Sequence, residues 1–571
     1  MLIPTVQYKT LTLLTLFLTL SVCSSRKNLV TTPINTRLQP PPAAVAAWQG
    51  QKFSMFIHFG LYALPAGVWN GKPVTLGYSE QIRAHGKIPK DQYHQLAGQF
   101  NPRHWNPDSV ALLAKSAGMK SIVITAKHHD GFSMYHTKYS DFNIVDATPY
   151  KQDLIAGLSA AAKKHGLRFG VYFSLIDWDF PEAVPISDHN SDSIPDAHHQ
   201  LNLHQVEELM THYGPISEIW FDMGKPTPQQ SHELAALVRK LQPDCLVSGR
   251  LWNDEGDFAV MGDNASPDFR MGTLWQTPAS MFDETWGYRS WQVRGKTAEK
   301  AQEKLTALVR TVGNGGNYLL NIGPMGDGGI VPFEREVLSA MGHWIRPRSE
   351  ALYGTNPAPL PAQDWGVITA RPGKLYLFVL RQTGKQLQLK GLLSNPTRVY
   401  ATADTTRALN FKCKEGVCTI DLDPVSQQEE IPVITLSYDG ALAIVPDNLL
   451  SPATALSPAN AIAYHSFSGK DYYTTRPTTI RLEWNVDMPA AGNYVLVVQA
   501  AEKDKGKRLV LSVNNTDTEI ELKGAAEKIT VESEGWIPGK HNVIQLRLAD
   551  QSNPHQDMDV ADLIINLVQK H

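Results

Sequence analysis

A carboxylate follows directly on a short apolar run at Ile219-Trp220-Phe221-Asp222. At the end of a buried strand and beside a large aromatic, Asp222 stands where a nucleophile or general base would be held rigidly; the competing reading is a capping Asp ahead of Gly224. Acid–base work needs a second carboxyl. Residues 275–291 (WQTPASMFDETWGYRSW) supply Asp283 and Glu284 among aromatics, whose apolar shielding raises a carboxyl pKa toward general-acid service. His128 and His129 are adjacent in KHHDGF (127–132). Neighbouring histidines on a strand point to opposite faces, so both reach one ion only where the strand has ended, and neither an HExxH nor a CxxC pattern accompanies them. Hydrogen bonding to substrate hydroxyls suits them better than metal ligation, with a structural role as the remaining reading. We expect no metal and no cofactor.

These groups sit just past apolar runs that alternate with helical patterns. Strand-like runs lie at 52–59, 121–126, 168–173, 218–221, 245–248 and 318–322. Apolar residues at three and four spacing mark helices at 108–117, 154–164, 203–212, 232–241 and 298–312. Repetition of strand and helix over residues 46–355 predicts an α/β fold, a (β/α)8-like (TIM) barrel, of which six units stand out. No Gly-rich phosphate loop follows the early strands, which argues against a nucleotide-binding sheet. In a parallel barrel the chemistry collects where strands end, and the strand ends here carry polar and aromatic groups suited to a polar ligand with apolar faces.

Beyond residue 356 the texture changes to period-two alternation bounded by Pro, Gly and Asn, which predicts two β-sandwiches, 356–450 and 451–571. The C-terminal one resembles a jelly roll of the carbohydrate-binding kind. The alternative is a buttress docked on the barrel, with Trp484 and Trp536 as core residues. Cys413 and Cys418 flank a turn at Gly416, and a bridge between them is expected, leaving Cys245 a buried thiol; the alternative is three independent buried thiols.

The chain of 571 residues, 42% hydrophobic and 19% charged with a net charge of −3, is long enough for three or four domains. It lacks the cationic balance that nucleic acid or anionic lipid would require, so neither is an expected partner. Residues 11–22 (LTLLTLFLTLSV) are too short to span a bilayer and have the length of a signal-peptide core. The run ends at Cys23, where it resembles a bacterial lipoprotein box. Residues 1–23 are therefore expected to be a signal, with a periplasmic product or one anchored to the outer membrane through Cys23. The polar, Pro-rich residues 24–45 read as a linker.

The constellation FIHFG (56–60), YSE (78–80), FNP (100–102), KHHDGF (127–132), GVYFS with IDW (170–178), IWFD (219–222), SGR with GDF (248–258), TWGY (285–288), GGNYLLNIGPMGDG (315–328) and EALYGT (350–355) resembles the α-L-fucosidases of glycoside hydrolase family 29. The resemblance runs in order from residue 46 to about 355. It implies a retaining exo-glycosidase that releases terminal α-L-fucose from a fucosylated oligosaccharide or glycoconjugate. It further implies sugar contacts from His58, Glu80, His128, His129, Tyr172, Trp220 and Arg250, with Asp222 as nucleophile and Trp286 against the C5 methyl. Where many members carry a Trp-Glu pair whose Glu is often taken as the acid/base, this chain has Trp275-Gln276. An amide cannot serve as the acid, and Glu284 is the nearest carboxyl that could replace it. The rival readings are an α-L-galactosidase on the same scaffold, or a glycan-binding protein with an impaired acid/base.

Overall fold

In a computed structural model, the residues described are 39–182, 186, 193–381, 384–423, 431–470 and 476–570. The expected signal segment, Cys23 and the linker through residue 38 lie outside them. The described residues belong to one compact unit.

Eight parallel strands form the first sheet: β1 (Phe53–Ile57), β2 (Ser121–Lys127), β3 (Arg168–Ser174), β4 (Glu218–Asp222), β5 (Leu246–Val247), β6 (Ala259–Val260), β7 (Trp275–Ala279) and β8 (Asn317–Ile322). They pair in chain order, β8 returns to β1, and a single parallel bridge between Ser248 and Phe258 joins the β5 end to the β6 end, closing the barrel. Strands β1 to β4 are almost wholly buried, as expected of parallel strands covered on both faces.

The connecting helices carry their own signals. Helix α1 (Pro107–Ser116) begins with Pro at its first turn and Asn106 accepting from the Ser109 amide. In α2 (Leu154–His165), Asp153 caps the start and Gly166, at φ 71°, ends it in the left-handed region. Helices α3 (Asp196–His212) and α4 (Pro228–Leu241) follow, α4 closed by a Thr227/Gln230 capping box. No α-helix intervenes between β5 and β7, only a 3-10 turn at Gly249–Leu251; α5 (Thr297–Gly313) and α6 (Pro332–Ile345) flank β8. The two units that periodicity does not reveal are centred on β6 and β7. A two-residue strand is too short to show a period, and β7 contains Pro278.

Among the described residues the first helix starts at Pro42, inside the expected linker. Residues Pro42–Gln49 form a helix whose Ala44 and Trp48 are buried. Trp48 stacks on Phe258 at 4.4 Å and donates to Glu218 at 3.0 Å, so this helix contributes to the cluster of Phe56, Tyr172, Trp220 and Leu319 that fills the barrel.

Two sandwiches follow. The first packs a five-stranded sheet, ending with Val433–Tyr438 against Pro396–Ala401, on a three-stranded one around Leu375, Leu377, Leu387 and Ile434. Its Cys413–Cys418 disulfide joins paired strands, and Cys245 is a buried free thiol. Leu449–Leu450 pairs with Arg476–Asp487, so the second sandwich already includes the end of the expected first one. Within the second, Trp484 is fully buried and donates to the Ser457 carbonyl, and Trp536 packs against the same core. Trp484 is thus a core residue.

The second sandwich docks on the barrel through β9 (Ile462–Ser468). The His465 amide donates to the Arg270 carbonyl at 2.8 Å, the Gly272 amide to the His465 carbonyl at 2.6 Å, and Thr273 and Ser466 share a hydroxyl contact at 3.0 Å.

Candidate active site

The functional groups of the barrel collect toward the C-terminal ends of its strands, because parallel strands bring all those ends to one rim. His58 stands one residue past β1. Its Nδ1 meets the Asn321 side chain of β8 at 2.7 Å. His128 and His129 follow β2, with ring centroids 3.8 Å apart, and His129 Nδ1 contacts the Ser174 hydroxyl of β3 at 2.8 Å. The bend that lets both histidines face one space is completed by Gly131, at φ 83°, where a Cβ would lie 2.2 Å from Asp177 Oδ1. Burial lowers all three histidines, His58 to about 4, so the cluster is neutral near pH 7 and presents uncharged donors and acceptors. Among the described residues no group of His, Cys, Asp or Glu is placed to hold a metal ion.

Asp222 ends β4. Its Oδ1 accepts from Arg250 at 3.0 Å and its Oδ2 from the Tyr172 hydroxyl at 2.8 Å. Arg250 lies in the turn after β5, its guanidinium 5.0 Å from the Trp220 ring centroid, and its second nitrogen donates to Asp263 at 2.6 Å. Burial opposes the Arg250 charge, but Asp263 and Asp222 more than offset it and raise its pKa. Trp220 is itself oriented by donating to Gln276 at 2.9 Å.

Glu80 is buried in a one-turn 3-10 helix and accepts from the amides of Trp286 and Gly287 at 3.2 and 2.8 Å. Those bonds fold the loop after β7 so that Trp286 covers the His58 ring, with centroids 5.2 Å apart. Desolvation raises the Glu80 carboxyl to about 7, the backbone donors only partly opposing it.

A cavity of about 430 Å³ is bounded by His58, Glu80, His128, His129, Tyr172, Trp220, Asp222, Arg250 and Trp286 together. Its size suits a small ligand. Glu284 does not border it: that side chain is exposed and accepts from Gln292 Nε2 at 3.2 Å. The loop after β7 turns inward at Thr285, which is bound to Ser79, so Trp286 enters the cavity while Asp283 and Glu284 remain on the outer side. Gln276 lies in the barrel interior, between Trp220 and Glu218.

Besides Asp222 and Glu80, the carboxyl that borders the cavity is Asp263. Its side chain is 30% exposed against 13% for Asp222, which puts Asp263 nearer the mouth. It stands three residues beyond β6, so the rule that reads residues just past each strand would have found it had the two-residue strand been visible. Trp252 and Phe467 also border the cavity, and nothing in the local sequence of either marks it.

A pair of carboxyls beside neutral histidines at the rim of a parallel barrel is compatible with glycoside hydrolysis, which works with two carboxyl groups. The chain belongs to the alpha-L-fucosidase family, whose sequence profile matches residues 20–350. Over 324 residues it is 32% identical to the tissue alpha-L-fucosidase of Rattus norvegicus, covering 54% of this chain and 69% of the relative. The alpha-L-fucosidase structure from Vibrio sp. strain EJY3 superposes with a TM-score of 0.66 at 27% identity, covering 93% of this chain and 99% of that one. Alpha-L-fucosidase isoenzyme 1 from Paenibacillus thiaminolyticus gives 0.62 at 27%, covering 71% of this chain and 100% of that one.

Proposed function

We propose that the protein is a retaining exo-α-L-fucosidase that acts by double displacement, with Asp222 as nucleophile and Asp263 as acid/base. The observation that carries this reading is the Arg250 bridge, 3.0 Å to Asp222 and 2.6 Å to Asp263. Two carboxyls on one guanidinium flank a common space, as a pair acting on one glycosidic bond must.

Double displacement requires Asp222 to attack as the anion and the acid/base to deliver a proton to the departing oxygen. Attack on the anomeric carbon turns Asp222 into a neutral ester while Asp263 gives its proton to the departing oxygen and becomes the anion. One negative charge moves between two groups held by the same cation, so Arg250 keeps a carboxylate partner throughout. Water then enters, gives its proton to Asp263 and releases the sugar from Asp222. The neutral histidines and Glu80 bind ring hydroxyls, and Trp286 provides an apolar wall for the C5 methyl. That wall, and the fucosidase relatives, support fucose over L-galactose as the ligand.

The test is hydrolysis of an aryl α-L-fucoside, followed by NMR of the first anomer released. Retention of the α configuration is expected, and no turnover would sink the proposal. Asp222→Ala should reduce turnover at least 10⁴-fold. Asp263→Ala should cost far more on natural glycans than on activated aryl substrates and be rescued on the latter by azide, whereas Glu284→Ala should stay within about twofold of wild type. Loss confined to Glu284→Ala would return the acid to that residue.

We also infer export, as a periplasmic or outer-membrane-anchored lipoprotein. The apolar run 11–22 before Cys23 and the Cys413–Cys418 disulfide of an oxidising compartment support it. Metabolic labelling with a radioactive fatty acid tests the anchor, and Cys23→Ser should abolish the label.

A further inference from the structure

Phe467 borders the cavity although it belongs to the second β-sandwich and not to the barrel. It packs against Met261, Ala259 and Trp275, and Met261 is two residues before Asp263. Its strand neighbours are fixed: Ser466 contacts His555 Nδ1 at 2.5 Å, and Ser468 donates to Asp254 at 3.1 Å. The ring is therefore held on a rigid element, half-buried with its free part toward the cavity.

The cavity has two differently built ends. One is formed by the buried histidines, Tyr172 and Trp286; the other by exposed Asp263 and Gly262 with the buried Met261 and Trp252 and the half-buried Phe467. A general acid touches the oxygen that leaves, so the group attached to that oxygen must lie on the Asp263 side. There it meets aromatic and thioether surface beside a few polar groups, which complements the apolar face of a pyranose ring.

We propose that Phe467, with Trp252, forms the binding subsite for the sugar on the leaving-group side of the scissile bond, so that the second β-sandwich contributes directly to substrate selection. The inference rests on the fucosidase reading and on Asp263 as the acid. Contact with the leaving sugar that strengthens as the bond breaks raises kcat/KM only for substrates that carry such a sugar.

The test compares α-L-fucosyl fluoride, which has no leaving sugar, with fucosyl disaccharides of each linkage. For Phe467→Leu, which keeps apolar bulk against Met261 but removes the flat ring, the ratio of kcat/KM for the preferred disaccharide to that for the fluoride should fall at least tenfold. Phe467→Tyr should restore it to within threefold of wild type. Thermal midpoints of both variants establish that they are folded. A ratio within twofold of wild type in Phe467→Leu, in a chain that hydrolyses the fluoride, overturns the subsite alone. A wild-type chain inert toward the fluoride overturns the underlying reading of the reaction.

Discussion

Asp222 has each carboxylate oxygen occupied by a different donor, Arg250 on one and the Tyr172 hydroxyl on the other. Such bonds fix the direction of attack and stabilise the anion without neutralising it. Removing one, in Tyr172→Phe, should lower kcat by roughly 10–100-fold with smaller change in KM, because the bond bears on the reacting group more than on the bound sugar; steady-state kinetics on an aryl fucoside decides it. Glu80 makes a prediction about stability. Burial lifts its carboxyl from 4.5 to about 7, so between these pH values the folded chain holds a proton that the unfolded chain has released. The sign follows: its contribution is fully present below about 4.5 and is lost as pH rises through 7, an amount of about 3 kcal/mol. Melting curves from pH 5 to 8 should be flatter for Glu80→Gln than for wild type. An unchanged slope would mean that Glu80 is ionised in the fold.

The segment that follows Arg250 stores strain. Trp252, Asn253 and Asp254 have φ of 63°, 50° and 60°, and Trp252 at ψ −172° occupies a region used almost solely by glycine. Asn and Asp tolerate positive φ, but a tryptophan there persists only if its surroundings impose it. They do so from the other domain: the Asn253 amide donates to the Lys470 carbonyl at 2.9 Å, the Asp254 amide to the Gly469 carbonyl at 3.2 Å, and the Gly469 amide returns a bond to Asp254 Oδ1 at 2.9 Å. Gly469 also approaches so closely that a Cβ on it would lie 2.9 Å from the Gly249 carbonyl, one residue before Arg250. Asp254→Ala should therefore cost about 1–3 kcal/mol of stability and lower kcat/KM as Arg250 loses its support. A variant destabilised to that degree but with kcat/KM unchanged would separate the clamp from the site.

At the scale of the molecule, the second sandwich is part of the enzyme's frame. It supplies Phe467 to the cavity wall and the Gly469–Lys470 clamp to the strained loop, and Arg270 adds an ion pair to Asp447 at 2.5 Å. A detachable glycan-binding module would leave hydrolysis of simple aryl fucosides intact when removed. Deletion of residues 451–571 should instead abolish most of that activity, since the groups that clamp Asn253 and Asp254 beside Arg250 would be gone. Near-normal turnover by a soluble truncated chain would show that the barrel positions Arg250 unaided.

What the sequence alone determined is local or periodic in origin. The alternation of buried strands with capped helices specified the barrel, because parallel strands are apolar throughout and Pro107, Asp153 and Gly166 are helix-boundary residues whatever surrounds them. Asp222, His58, His128, His129 and Arg250 were legible because each stands just past a strand or at its very end, and strand ends converge in this architecture. Glu284 looked equivalent, being a carboxyl among aromatics, yet one turn of loop at Thr285 sends Trp286 inward and leaves Glu284 in solvent. Asp263 was hidden by the shortness of β6. Phe467 lies far along the chain from the rest of the cavity wall, and its role depends wholly on how one domain docks on another. No spacing or composition encodes such a contact, because it arises from two surfaces that meet only after each has folded.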